Sequence, residues 1–278
     1  MSNLEKALQE AISARNKNKS QTAIVPTDSD NLGTEVVVAK SQNGHIPAMR
    51  EPALRDKQEL ESKKIIYPDM SDTKVVDQFR EIRTHIYQAI RRKNTPILIT
   101  AVSSKAGNTF VTKNIAAAIA LDDAKTSLVV DCNLTSPGFT DLLEDPEQLG
   151  VTDYIEKGVP LEDIIKPIGI KRMRLISSGA KKESVTDYLT SSRIKLLFTE
   201  LQERYSDRVI LVDSPSINDS ADAKILLNLF SHVVLVVPYR NVTESQIGAA
   251  IKAIGKERII GIVINREPRF LSLFKYKK

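Results

Sequence analysis

Residues 97–120 read ILITAVSSKAGNTFVTKNIAAAIA. An apolar, β-branched run passes through a loop of small polar residues into an alanine-rich helical pattern. This order is typical of a phosphate-binding loop, where backbone N–H groups and the helix N-terminus hold phosphate oxygens. The sequence therefore predicts such a loop between a strand and a helix. The candidate cofactor-binding residues are Ser104, Lys105, Ala106, Gly107, Asn108, Thr109 and Phe110.

The predicted loop lacks the lysine that usually completes the motif. The usual order is Gly-Lys-Ser/Thr, whereas this chain has Gly107-Asn108-Thr109. Lysine would direct a positive charge at the phosphates, but asparagine offers only neutral donors on a shorter stem. Losing that charge where a transition state concentrates negative charge predicts a large loss of rate. Lys105 is a candidate substitute, although a solvated surface position is the favoured interpretation of this residue.

Apolar strands alternate with helical patterns through the rest of the chain. This alternation predicts an α/β fold whose mostly parallel central sheet is covered on both faces. The strands are expected at 97–101, 127–131, 173–177, 209–213, 233–237 and 259–264, and the longer helices at 73–92, 187–204, 221–230 and 243–254.

Two of the predicted strands end in an acidic residue, Asp131 and Asp213. Ligands of such sheets bind at the carboxyl ends of the strands, where the predicted loop also lies. We therefore predict both acids as catalytic residues and, together with Thr109, as ligands of Mg²⁺. For either acid alone, capping a strand end is an equally good interpretation.

Composition divides the chain into four segments. Residues 1–15 predict a short amphipathic helix, and the polar stretch 16–70 predicts a disordered linker because it has little apolar surface to bury. Residues 71–268 form the predicted α/β domain. The tail, 269–278, combines Phe and Leu with lysines and predicts docking to a membrane surface or an acidic partner.

Charge and cysteine content exclude several classes of protein. The net charge of +5 is spread along the chain, so no nucleic-acid partner is expected. A single cysteine excludes an intramolecular disulfide and a cysteine metal cluster. We found neither an apolar run long enough to span a membrane nor a signal-peptide pattern, and we expect a cytoplasmic protein.

The order of motifs resembles that of the bacterial tyrosine kinases of capsule and exopolysaccharide systems. These kinases are deviant P-loop ATPases, a group that includes septum-site and plasmid-partition proteins. The similar segments are 76–86, 103–114, 129–137, 209–215 and 222–223.

The resemblance has implications for fold, cofactor and partners. It implies a three-layer P-loop NTPase sandwich and binding of ATP or ADP with Mg²⁺. The first motif, in the helix 73–92, implies an oligomer interface through Asp77, Arg80 and Arg83, although these side chains also suit a solvated face. The implied partners are a membrane co-polymerase or chain-length protein, a related active kinase, or further copies, at the inner face of the cell membrane.

The departures from this family lie in the chemical positions. Asn108 replaces the loop lysine, Asn133 replaces the second acid of an Asp-x-Asp pair, and Thr135 replaces the arginine that follows. The tail has one tyrosine, Tyr276, where a kinase carries a cluster of acceptors. We interpret the chain as a degenerate relative with vestigial acids, acting as regulator or scaffold in polysaccharide synthesis and export. The alternatives are an active autokinase that modifies Tyr276, and a partition-type positioning ATPase.

Overall fold

A computed structural model describes residues 53–90, 94–145, 148–182, 184–205 and 208–268. The predicted N-terminal helix, most of the predicted linker and the C-terminal tail lie outside these ranges.

Seven strands form one sheet, in the order β3-β4-β2-β5-β1-β6-β7. Neighbouring strands are parallel except β3 and β4, which are antiparallel. This architecture confirms the predicted α/β class and all of the predicted strands. The three-residue strand β3 was not predicted. The strands are β1 (Ile97–Ala101), β2 (Thr126–Asp131), β3 (Ile165–Pro167), β4 (Met173–Ile176), β5 (Arg208–Asp213), β6 (His232–Pro238) and β7 (Ile259–Asn265).

The helices connect these strands, and the predicted helix over 187–204 is divided in two. Ser191 has an extended ψ of 146° and its hydroxyl accepts a bond from the backbone N–H of Arg193, so one helix ends there and the next begins. No helix in the described part of the chain is long and apolar enough to cross a membrane. The helices are α1 (Lys57–Ser62), α2 (Thr73–Ile90), α3 (Asn108–Ala120), α4 (Val151–Lys157), α5 (Leu161–Ile164), α6 (Thr186–Thr190), α7 (Ser192–Arg204), α8 (Ala221–Leu227) and α9 (Glu244–Ile254).

Helix α3 is the central helix of one face of the sheet. Every residue from Val111 to Ala120 is buried, because alanine side chains allow the helix to lie close to its neighbours. Helix α2 covers α3 from outside, and the rings of Phe79 and Phe110 meet edge to face with centroids 6.0 Å apart. This double burial fixes the N-terminus of α3, and with it the loop that follows the central strand β1.

Residues 53–70, which we call the strap, fold onto the α/β domain, so the prediction of a linker is wrong for this part. Ile65 and Ile66 are 0% and 3% exposed. The backbone N–H of Ile66 donates to the side-chain oxygen of Asn114 on α3 at 2.9 Å. Arg55 bonds the backbone carbonyl that follows β3. This short apolar pair was not recognised in the sequence, because the residues around it are mostly polar.

Candidate functional site

The loop after β1 has the backbone form of a phosphate loop. Lys105 and Gly107 adopt left-handed φ values of 61° and 91°. A Cβ atom at Gly107 would collide with the amide of Asn265, which donates to the carbonyl of Ala106 at 2.8 Å. Glycine is therefore required at this position. The loop is held against the end of β7.

Asn108 points its amide at the end of β5. Its Nδ2 donates to the carbonyl oxygen of Ser214 at 2.7 Å and to Oδ1 of Asp213 at 3.3 Å. The amide of Asn108 is a neutral donor, and both of its acceptors belong to the protein itself. The position that usually carries the phosphate-directed charge is thus occupied by an internal structural contact.

Asp213 is completely buried and accepts bonds from hydroxyls of α3. Thr109 donates to its Oδ2 at 2.7 Å, and Thr112 donates to its Oδ1 at 2.8 Å. Burial raises its pKa to about 6, while the bonds from these threonines and from Asn108 oppose the shift. The structure therefore brings together two of the three predicted metal ligands, Thr109 and Asp213, in a direct hydrogen bond.

Asp131 lies beside Asp213, since the two residues are register partners on β2 and β5. Its carboxylate accepts the backbone N–H groups of Asn133 at 3.0 Å and Gly138 at 2.9 Å. Burial, followed by the neighbouring Asp213 charge, raises its pKa to about 7. A Cβ atom at Gly138 would lie 2.6 Å from the Thr109 side chain, so this loop packs closely over the Thr109 hydroxyl.

Neither nearby lysine replaces the missing one. Lys105 is exposed. Lys113 is 8% exposed, and its Nζ bonds Oδ1 of Asp141 at 2.6 Å and lies 5.3 Å from the centre of the Phe139 ring. Its charge lowers the pKa of Asp213, but its ammonium is already paired.

Asp131, Asp213 and the Thr109 hydroxyl are oxygen groups that could hold Mg²⁺, whereas the neutral Asn108 departs from the usual nucleotide site. Two adjacent buried carboxylates lie beneath a loop whose phosphate-directed residue is neutral. The Thr109 hydroxyl, which would contact the metal, donates to Asp213. Among the described residues, no three His, Cys, Asp or Glu side chains form a group suited to a metal ion.

Sequence reasoning missed an acid at the outer end of the loop. Oδ2 of Asp219 accepts the backbone N–H of Ser104 at 2.6 Å and the hydroxyls of Ser104 and Ser216, each at 2.9 Å. These bonds lower its pKa. Thr112 and Asn265 were also missed. Asn265 was detectable, because it directly follows the predicted strand 259–264, at the end of the sheet where the two acids also lie.

The structure separates the remaining predicted site residues. Phe110, predicted to bind cofactor, packs its ring against Phe79 of α2. Of the predicted interface set, Asp77 and Arg80 form an exposed ion pair at 3.2 Å on α2. Arg83 donates to the carbonyl of Ala118 on α3 at 3.0 Å. Its guanidinium therefore already has a partner within the domain.

Curated relatives of this chain are bacterial tyrosine-protein kinases. It is 26% identical over 205 residues to a putative tyrosine-protein kinase CapB of Staphylococcus aureus, an alignment covering 72% of this chain and 88% of CapB. It is 26% identical over 192 residues to YwqD of Bacillus subtilis, covering 68% and 80%. The match to Wzc of Salmonella typhi, 25% identical, covers 68% of this chain but 26% of Wzc. No protein-family model matches the chain.

Solved structures confirm the fold. The chimerical protein CapA2B2 superposes with a TM-score of 0.66 at 23% identity, covering 78% of this chain and 93% of that one. The kinase domain of the Escherichia coli tyrosine kinase ETK gives 0.63 at 20% identity, covering 78% and 91%. The cell-division ATPase MinD of Pyrococcus furiosus gives 0.52 at 23%, covering 63% and 73%. The chain is therefore a homologue of bacterial tyrosine kinases with the fold of the P-loop ATPases, as predicted from its motifs.

Proposed function

We propose that this chain is a tyrosine-kinase relative with weak or absent phosphotransfer. It would act as a regulator or scaffold in the synthesis and export of capsule or exopolysaccharide. One observation carries the proposal: the amide of Asn108 faces the Ser214 carbonyl and Asp213, where a kinase requires a cation directed at phosphate. The kinase names of the relatives support the polysaccharide context, since one is described as lying in a cps region.

The energetics of phosphoryl transfer favour the inactive interpretation. Each hydrogen bond to a charged group contributes about 1.5–3 kcal/mol, and every 1.36 kcal/mol lost at the transition state slows the reaction about tenfold. Losing a charged contact at position 108 therefore acts against turnover, and it does not disturb the packing of α3 on the sheet.

A regulator or scaffold requires surfaces rather than turnover. The related ATPase MinD of Pyrococcus horikoshii was solved with Mg-ADP. We propose that this chain keeps the shape of that fold and has lost most of the nucleotide affinity. Its partner would be a membrane protein of the co-polymerase class, a related active kinase or a second copy. Calorimetry with ADP, with and without Mg²⁺, should give weaker binding for this chain than for its Asn108→Lys variant.

The decisive experiment measures phosphotransfer from Mg-ATP. The unaltered chain should remain at background, and Asn108→Lys should gain measurable activity, if necessary in combination with Asn133→Asp. The matched control is Asn228→Lys, which adds the same charge at an exposed residue following α8. Robust autophosphorylation of the unaltered chain would refute the proposal. No gain in Asn108→Lys, alone or combined with Asn133→Asp, would show that the defect extends beyond positions 108 and 133.

A further inference from the structure

The outer end of the phosphate loop already holds an anion from within the chain. A single carboxylate oxygen, Oδ2 of Asp219, accepts three bonds at 2.6, 2.9 and 2.9 Å. The donors are the backbone N–H and hydroxyl of Ser104 and the hydroxyl of Ser216. Bonds from a backbone N–H and from hydroxyls are also those that a phosphate oxygen receives in such a loop.

The segment that carries Asp219 is anchored so that its carboxylate reaches this loop. Ser214 donates its backbone N–H to the carbonyl of Ile99 at 3.1 Å, and Ile217 donates to that of Ala101 at 2.8 Å. These bonds join the segment after β5 to β1, the strand that leads into the loop. The acid therefore lies against the loop because of the backbone on either side, and not through a chance surface contact.

The contact has the electrostatic character of a bound anion. Asp219 is exposed, yet the bonds from Ser104 and Ser216 lower its pKa, so it remains charged at neutral pH. A phosphate approaching the Ser104 N–H would have to displace this carboxylate and would meet its negative charge.

We propose that Ser104 and Ser216 form an oxyanion site, and that the Asp219 carboxylate fills this site and closes the outer end of the loop to phosphate. This obstacle is separate from the substitution at position 108. One removes a positive charge from the inner end of the loop, and the other adds a negative charge at its outer end.

The test is an NMR titration of the full chain with inorganic phosphate, following the amide of Ser104. The variant is Asp219→Ala. The control is Asp163→Ala, which removes one exposed acid from α5, the helix that directly precedes the edge strand β3, whereas Asp219 follows the interior strand β5. In the unaltered chain and the control, the Ser104 amide should be protected from exchange, and its signal should not move with phosphate. In Asp219→Ala, its exchange should accelerate at least tenfold, and phosphate should shift its signal saturably.

Two results would overturn the proposal. Equal Ser104 exchange in Asp219→Ala and the unaltered chain would show that the contact does not form in solution. Faster exchange without a phosphate-dependent shift would show that the carboxylate only ties two loops together and that no oxyanion site exists. Neither readout depends on phosphotransfer, so failure here leaves the proposed function to its own test.

Discussion

Asp131 and Asp213 place two carboxylates side by side, and no ion pair to either is found among the described residues, so stability should depend on pH. Their folded-state pKa values are raised to about 7 and about 6, above the ordinary value of 3.8. The folded state therefore holds protons that the unfolded state releases. The contribution of the pair is fully present below the unfolded pKa and is lost as pH rises through 6 and 7.

We therefore expect the free energy of unfolding to fall as the pH rises from about 5 to 8. Asp153 and Glu156 act in the opposite sense, because their pKa values are lowered and their contribution is lost at acidic pH. Urea unfolding across this range measures the slope. A free energy of unfolding that stays flat or rises from pH 5 to 8 would contradict the unpaired acid pair.

Replacing Asp213 by Asn should reduce this slope and raise the stability at pH 8. Thr112 and Asn108 can continue to donate to the remaining oxygen, and the new amide can donate to the Thr109 hydroxyl, which also accepts. The comparison variant is Asp131→Asn, whose amide would face a backbone N–H group that now donates to the carboxylate. It should flatten the slope without the gain in stability. Equal gains from both variants would show that hydrogen bonding at the site is unimportant.

At the scale of single elements, the strap depends on one side chain of α3. Asn114 is fully buried; it accepts the N–H of Ile66 at 2.9 Å and donates to the carbonyl of Lys64 at 3.0 Å. Asn114→Ala would leave the buried N–H of Ile66 without this partner, and we expect a loss of about 1–3 kcal/mol in urea unfolding. Thr199→Ala removes an exposed helical hydroxyl bond and should cost less than about 0.5 kcal/mol. Similar losses in the two variants would argue that the strap does not contribute to stability.

Helix α2 is the predicted surface for association, and its two arginines should behave differently. Arg80 is exposed, so Arg80→Ala should lower the oligomer mass in sedimentation and leave unfolding unchanged. Arg83→Ala should also reduce stability, because Arg83 bonds the carbonyl of Ala118 near the end of α3. If a variant that carries both Arg80→Ala and Arg83→Ala sediments like the unaltered chain, these arginines are not interface residues.

Elements with a strong local pattern in the sequence could be predicted, and elements without one could not. Buried strands such as β5 and β6 are continuous apolar runs, and α3 follows a clear loop signal, so all three were predicted. In the strap, Ile65 and Ile66 follow two lysines, and a proline comes soon after them. The apolar residues of this segment show no helical or strand periodicity. Their burial depends on tertiary packing in the core and on the hydrogen bond to Asn114, and that bond spans 48 residues.

At the scale of the whole molecule, the sheet predicted the place of the site but not its contacts. Strand ends brought Asp131, Asp213 and the loop together, as the rule for parallel sheets requires. The partners of Asp219 could not be predicted, because they depend on how the segment after β5 bends back over the loop. That bend follows from hydrogen bonds to β1, which leave no local pattern in the sequence.

We expect the C-terminal tail of the intact chain to contact anionic membranes. That tail lies outside the described residues, and the prediction rests on its apolar groups and three lysines at 275, 277 and 278. Each lysine near an anionic bilayer contributes about 1 kcal/mol, so binding should be weak for a monomer and stronger for an oligomer. The intact chain should co-sediment with anionic vesicles more than a chain ending at Glu267. Equal sedimentation would exclude the tail as a membrane contact.

Cys132 gives this molecule an intrinsic chemical reporter. It is the single cysteine of the chain, is fully buried, and follows Asp131 directly, with its N–H bonded to the carbonyl of Asp213 at 2.9 Å. Burial and the neighbouring carboxylates raise the pKa of its thiol, so the closed site should resist thiol reagents. The rate at which a chromogenic disulfide reagent labels Cys132 therefore measures how often the ends of β2 and β5 separate. No engineered probe is needed.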